Sequence, residues 1–240
     1  MLISSKGILT FGLAALAALC LCFVPASAQI VRERGADAAR HSNDAAAVLS
    51  KIMGVPDKAI PRELLEGAEA VAVCPGVLKA AFVVGGRKGD CVISRRTQKR
   101  QWGAPVFYNL TGGSFGAQIG AAKTDYVLLF MNGAALGGLM KDKFEVGGEA
   151  EATAGPVGRA AGAETTPNLK AGILSYSRSR GLFAGLELKG GVINPDNNLN
   201  EALYGLKAKD ILTGANKVKA ADIPPGVIVF PNTLARYSIK

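Results

Sequence analysis

The stretch "LTGGSFGAQIGAAKTDYVLLF", residues 110–130, constrains this chain more than any other. Phe115, Ala117, Ile119 and Ala121 alternate with Ser114, Gly116, Gln118 and Gly120. A period of two is the mark of a strand with one buried face. The same stretch contains Gly-x-Ser-x-Gly at Gly112, Ser114 and Gly116, the pattern of a hydrolase nucleophile elbow. An elbow needs a helix directly after the serine, with the acid and the histidine following in the chain. The one histidine, His41, precedes Ser114, and without a base a serine hydroxyl stays protonated and a poor nucleophile. No catalytic residue is assigned. A Gly-x-x-x-Gly membrane helix is opposed by Gln118 and Lys123. The glycines are then best read as one face of a bent strand, with Gly112, Gly116 and Gly120 in line.

The surrounding sequence repeats the pattern. "AVAVC", "KAAFVVGG", "CVISRR", "PVFYNL", "SFGAQIGAAK", "DYVLLFM", "KFEVGGEAEAT", "AGILSYSRS" and "LFAGLELKGGVI" are short apolar runs punctuated by turn residues, "RKGD" and "TQKRQWG" among the turns. Strands at such spacing imply a mainly antiparallel sheet. There are 30 glycines among 240 residues, well above the usual ~7%. Many lie inside strand patterns, where a strongly curved sheet or a small barrel can use them. The expected fold is α+β: a Gly-rich, strongly curved sheet or small barrel with a few short helices and N-terminal helices packed on it. Helices are expected over 36–53, at Pro61–Leu65, over "NGAALGGLMK" capped by Asn132, and over "NPDNNLNEALYG" and "KAKDILTGA". His41 reads as a surface residue of the first helix. The organisation expected is a signal peptide at 1–28, a helical segment at 29–66, a β-rich domain at 67–213 and a tail at 214–240.

Residues 1–28 carry one cation, Lys6, an apolar run from Ile8 to Val24, and Ala26-Ser27-Ala28 as a cleavage site, the plan of a secretory signal. No small residue precedes Cys20 or Cys22, so cleavage after Ala28 is expected rather than lipoprotein anchoring, with an uncleaved anchor as the alternative. The protein is expected to be periplasmic or secreted. The formal net charge is +9, which favours an anionic partner. Export makes nucleic acid a poor candidate and a membrane surface a better one. Cys74 and Cys91 remain in the mature chain. Export permits a disulfide, but in a simple meander of Ala70–Cys74, Ala80–Gly85 and Asp90–Arg95 the two would sit on strands flanking a shared neighbour. Two strand spacings, about 9.6 Å, exceed the usual reach of a bridge, which disfavours the pairing and leaves it open. Neither the thiols nor Asp125, Asp142 and Glu145 make a metal site, and no cofactor is expected.

Four blocks, "VCPGVLKAAFVVGG", "WGAPVFYNLTGGSFGAQIGAAKTDYVLLFMN", "KFEVGGEAEATAGPVGR" and "ILSYSRSRGLFAGLELKGGVINPD", together resemble the SYLF lipid-binding domain, whose eukaryotic members include yeast actin-binding and endocytic proteins. The resemblance covers about residues 35–205, is most specific from Val71 to Asp196, and weakens after about Gly214. It implies non-enzymatic binding of phosphoinositides or other anionic phospholipids and, in yeast members, of actin filaments. For an exported member of bacterial type, the lipids implied are those of a cell envelope or a host. Family lipid binding is linked to an N-terminal amphipathic basic segment, whose counterpart here holds Arg32, Arg34, Arg40 and Lys51 beside an Ala-rich apolar face.

The principal candidate site is "SRRTQKRQW", where Arg95, Arg96, Lys99 and Arg100 crowd a hairpin turn beside Trp102. Cations at a loop tip attract lipid phosphates and Trp favours the interface; the competing reading is a solvated turn with Trp102 in the core. Secondary candidates are Arg87 and Lys88, expected in a turn at the other end of the sheet, and Arg178 and Arg180, which either bind phosphate or pair with Glu149, Glu151 or Glu187. The alternative to lipid binding is an envelope scaffold or protein-interaction module whose basic surface only confers solubility.

Overall fold

The computed structural model describes residues 26–56, 59–148, 152–158, 172–179, 182–185, 190–214 and 218–238. Residues Met1–Glu33 and Arg34–Lys240 form two compact units, and, apart from the first turns of the N-terminal helix, the architecture below is that of the second. Helix α1, Ala26–Met53, starts well before the predicted residue 36, because no breaker stands between Pro25 and Gly35 and the intervening residues include good helix formers. Gly54 closes it, its N–H reaching Ser50 O at 2.9 Å. The face with Ala38, Ala45, Val48, Leu49 and Ile52 is buried in the core. His41 is half-buried rather than fully on the surface as expected. Its ring lies against Phe107, with centroids 6.4 Å apart, and its Nδ1 is 3.9 Å from Asp90 Oδ2.

After the short helix α2, Arg62–Gly67, the chain enters β1, Ala70–Arg95, and returns through β2, Val106–Phe130. These two strands pair antiparallel along nearly their whole length. The expected meander is therefore replaced by one long two-stranded ribbon. "RKGD" is no turn: Arg87 pairs with Gly112 and Asp90 with Asn109.

Cys74 and Cys91 are joined by a disulfide with Cα atoms 4.1 Å apart at a sequence separation of 17, the outcome that the meander disfavoured but left open. A straight strand would hold them about 55 Å apart. The ribbon is thus folded in two, and the expectation failed because it placed the cysteines on separate strands of a meander. The fold lies at the register shift between Ala81 and Val83, whose partners on β2 are Gly120 and Gly116. Two of the three aligned glycines therefore flank the bend, as a bent strand requires. The third, Gly112, permits close packing, since a Cβ there would lie 2.7 Å from Gly190 O.

The rest of the sheet is built on β2. Its C-terminal half pairs with β5, Ile173–Ser179, which carries β4, Ala152–Ala154, in parallel and β6, Leu182–Gly185, antiparallel. Its N-terminal half pairs with β7, Gly191–Pro195, followed by β3, Phe144–Val146. With both halves of the ribbon counted, the sheet curves into a nearly closed barrel, giving the α+β fold expected. Helix α3, Gly133–Gly138, is capped by Asn132, whose side chain accepts from Ala135 N. Helix α4, Asn197–Tyr204, is capped by Asp196 and ends at Gly205 with φ 67°. Asn200 of α4 is buried and clamps Phe107, accepting from its N–H and donating to its carbonyl, both at 2.9 Å.

Helix α5, Ala208–Thr213, precedes a 3-10 turn at Ala220–Asp222 and helix α6, Val229–Ser238. The segment expected as a tail is thus packed into the body: Phe230 and Leu234 are fully buried, and Ser42 Oγ of α1 donates to Val227 O at 2.5 Å.

Candidate functional site

Folding the ribbon separates its basic residues into two groups. The arms meet at Cys74–Cys91 and again where Val77 packs on Gly89. The β1–β2 hairpin tip, residues 95–106, therefore lies at one end and the bend at the other. Arg87 is about 26 Å along β1 from Arg95 at the rise of a strand.

At the hairpin tip, Thr97 N donates to Gln101 O at 2.8 Å, Arg100 N to Thr97 O at 2.9 Å, and Arg96 bridges Trp102. Arg100 takes φ 59°, a left-handed turn position. The turn is as predicted, but its cations are largely occupied. Arg96 is only 8% exposed. It donates to Arg100 O at 2.6 Å, Leu65 O at 3.4 Å and Glu66 O at 3.3 Å, and its guanidinium stacks on Trp102 at 4.0 Å. The last two of these carbonyls belong to the end of α2, where backbone acceptors have no partner within the helix. Burial pushes the Arg96 guanidinium below the usual arginine value; neighbouring Arg100 acts in the same direction, while Glu66 and Glu69 oppose it. Arg95 donates to Leu212 O. Arg100 donates to Glu66 O at 2.7 Å and pairs with Glu69 at 3.3 Å, with half its side chain exposed. Lys99 is exposed.

Trp102 is half-buried and its Nε1 donates to Ser238 Oγ at 2.9 Å. Arg96, Arg100 and Trp102 form one wall of a cleft of about 560 Å³, with Ile223, Ile228, Pro231 and Ala235 opposite. Sequence reasoning missed this second wall because α6 was read as tail.

At the bend, Lys123 and Leu78 are paired across the ribbon and both exposed, as is Lys88; Lys79 and Arg87 are half-buried. Arg87 Nε is buried without a hydrogen-bond partner. Among the described residues no ion pair joins Lys79, Arg87, Lys88 or Lys123 to a carboxylate. Gly86 and Gly113 face each other across the ladder, and no atom lies within 4 Å of a Cβ built on Gly113. This bare backbone leaves the cations open to a large anionic group. Lys79 and Lys123 were not singled out from the sequence, because only the fold-back brings them near Arg87 and Lys88. The signal that could have found them is the lack of carboxylates between Cys74 and Asp90 and between Trp102 and Asp125.

Arg178 pairs with Asp125 at 3.4 Å, and the same carboxylate accepts from Gly76 N at 2.8 Å. Arg180, Glu149, Glu151 and Glu187 lie outside the described residues, as does most of the expected signal segment. Ser114 sits opposite Gly85 within the ladder, a strand position rather than the strand–turn–helix of an elbow. Among the described residues no group of three His, Cys, Asp or Glu could hold a metal ion, and no helix is long and apolar enough to cross a membrane.

A family described as Ysc84, Las17-binding protein actin regulator, matches residues 111–237. The match runs past Gly214, where the resemblance was expected to fade, in keeping with the buried residues of α6. The chain is 34% identical over 174 residues to Protein YSC84 of Saccharomyces cerevisiae, covering 70% of this chain and 37% of that protein. It is 33% identical over 163 residues to LAS seventeen-binding protein 3 of the same yeast, covering 66% and 35%. Against SH3 domain-containing YSC84-like protein 1 of Xenopus laevis it is 31% identical over 163 residues, covering 66% and 48%. The chain thus spans about a third to a half of the length of these relatives.

Proposed function

The chain belongs to the family described as Ysc84, Las17-binding protein actin regulator, and from that premise we propose that it is a non-enzymatic binding domain docking on anionic phospholipid membranes through the bend of its folded ribbon. The observation carrying this reading is charge segregation. Lys79, Arg87, Lys88 and Lys123 gather at the bend, and no carboxylate occurs between Cys74 and Asp90 or between Trp102 and Asp125. A basic residue near an anionic leaflet contributes about 1 kcal/mol, so four give on the order of a thousandfold in affinity. Exposed Leu78 beside Lys123 adds an apolar contact at the headgroup boundary. The hairpin-tip arginines contribute less, because their donors are held by backbone carbonyls. The export expectation, with cleavage after Ala28, belongs to the same proposal; it is supported by the Cys74–Cys91 disulfide, a bond that persists in oxidising compartments. The mature protein should begin at Gln29.

The test is co-sedimentation with vesicles of graded anionic content. Binding should rise with anionic lipid and fade at 0.5 M salt, where screening shortens to about 4–5 Å. Lys88→Glu/Lys123→Glu should weaken it on the order of a hundredfold or more, with the circular dichroism unchanged. Binding by this variant equal to the parent's would remove the bend as the contact. Failure of the parent to bind at low salt would favour a second reading, a protein-interaction module. That reading is supported by the relative named LAS seventeen-binding protein 3.

A further inference from the structure

The cleft at the hairpin tip lies at the opposite end of the ribbon from the bend, and its chemistry differs. Its volume of about 560 Å³ falls within the range of small-molecule sites. One side is apolar: Ile223, Ile228, Pro231 and Ala235, from α6 and the segment before it. The other side is a rigid plate. Trp102 is fixed at its edge by Ser238, which in turn donates to Leu234 O at 2.8 Å, and on its face by Arg96 at 4.0 Å. Arg100 stands at the rim with half its side chain in solvent. Arg95, Arg96, Lys99 and Arg100 outnumber Glu66 and Glu69, so the local field is positive. Two neighbouring guanidiniums repel each other, and an anion beside them relieves that repulsion. A flat membrane cannot enter a cleft of this kind, but one extended chain can.

We propose that this cleft binds a single molecule of a single-chain amphiphile, its anionic head on Arg100 and its apolar chain between Trp102 and the α6 wall. The head is a carboxylate or a phosphate. Arg96 acts as a positioning residue that holds the Trp102 face in place. The proposal is independent of membrane docking at the bend.

The experiment uses the mature protein with laurate, dodecyl phosphate and dodecanol, each below the concentration at which it forms micelles. Trp102 is the one tryptophan in the chain, so its emission reports the cleft directly, and calorimetry gives stoichiometry. Expected are saturable binding of one molecule of laurate or dodecyl phosphate per protein, a blue shift of Trp102, and at least tenfold weaker binding of dodecanol. The tighter of the two anions identifies the head group. Ala235→Phe, which fills the cleft without changing charge, should abolish saturable binding; Ala235→Leu serves the same end if the larger residue disturbs folding. Arg100→Glu should weaken both anions at least tenfold and leave dodecanol unchanged. Lys88→Glu/Lys123→Glu should bind as the parent does. Saturable binding that survives both Ala235 variants, absence of saturable binding by either anion, or equal binding of dodecanol would overturn the proposal.

Discussion

The hairpin tip and the bend of the same ribbon are both basic, yet they use their charge in different ways. At the tip, Arg96 is buried and donates to three backbone carbonyls, two of them from the end of α2. At the bend, no partner for Lys88 or Lys123 appears among the described residues, and the backbone beside them is bare at Gly113. The planar fork of arginine suits carbonyls fixed by a fold, whereas lysine is a hydrated point charge on a flexible stem. A basic cluster in sequence thus becomes a structural joint when a helix end lies against it, and stays a free surface when only strand lies beneath it.

The largest expected effect tests the joint. Arg96→Leu removes charge-assisted hydrogen bonds worth about 1.5–3 kcal/mol each and leaves carbonyls unpaired, so a loss of about 4 kcal/mol is expected in urea denaturation. Arg96→Lys should recover less than half, because one ammonium cannot replace the fork and its stacking on Trp102. A loss below about 1 kcal/mol would mean the tip is as loosely held as the bend. Next in size is the clip between the arms. Cys74→Ala/Cys91→Ala should cost about 3 kcal/mol, as expected for a loop of this length. It should also lower vesicle affinity, since the fold-back gathers the four cations. Reductant should reproduce the stability loss in the parent and do nothing to the variant; a variant as stable as the parent would show that packing alone folds the ribbon.

The contrast between tip and bend was only half legible in the sequence. The turn at Thr97–Gln101 could be read because polar residues there interrupt two apolar runs. Helix α3 could be read from its cap Asn132 and helix α4 from the turn residues of "NPDNNLNEALYG", among which Asp196 caps it. "RKGD" misled because Gly and Asp mark turns by their local preference, while pairing with Asn109–Gly112 extended the strand through them. That error carried into the cysteines: once β1 was divided into three strands, Cys74 and Cys91 were placed too far apart. Helix α6 was missed because Pro231 reads as a breaker, although it falls in the first turn of the helix, where a proline is tolerated. With it went the apolar wall of the cleft. The residues of the principal candidate site were correctly placed on a hairpin, but their hydrogen bonds to Leu65, Glu66 and Leu212 join distant parts of the chain, which no local pattern encodes.

Smaller effects sharpen the comparison on the membrane side. Lys88→Ala should leave stability within about 0.5 kcal/mol, as for an exposed site, and weaken binding to anionic vesicles about fivefold, the equivalent of about 1 kcal/mol. An equal loss from a neutral-lipid control would point to a change in the fold rather than in charge.

The smallest effect is expected at Lys99. It is the one cation of the tip for which no hydrogen bond or ion pair appears among the described residues, so Lys99→Ala has no joint to break and stability should again stay within about 0.5 kcal/mol. Its charge stands at the end of the ribbon away from Lys88 and Lys123, further than the screening length of about 8 Å at physiological salt. A membrane engaged by the bend should scarcely sense its loss, and vesicle affinity should change less than twofold. Co-sedimentation of Lys88→Ala and Lys99→Ala side by side, at the same lipid composition and salt, makes the comparison with a single charge removed at each end. Fivefold against less than twofold places the membrane at the bend; the reverse order would return the contact to the hairpin tip.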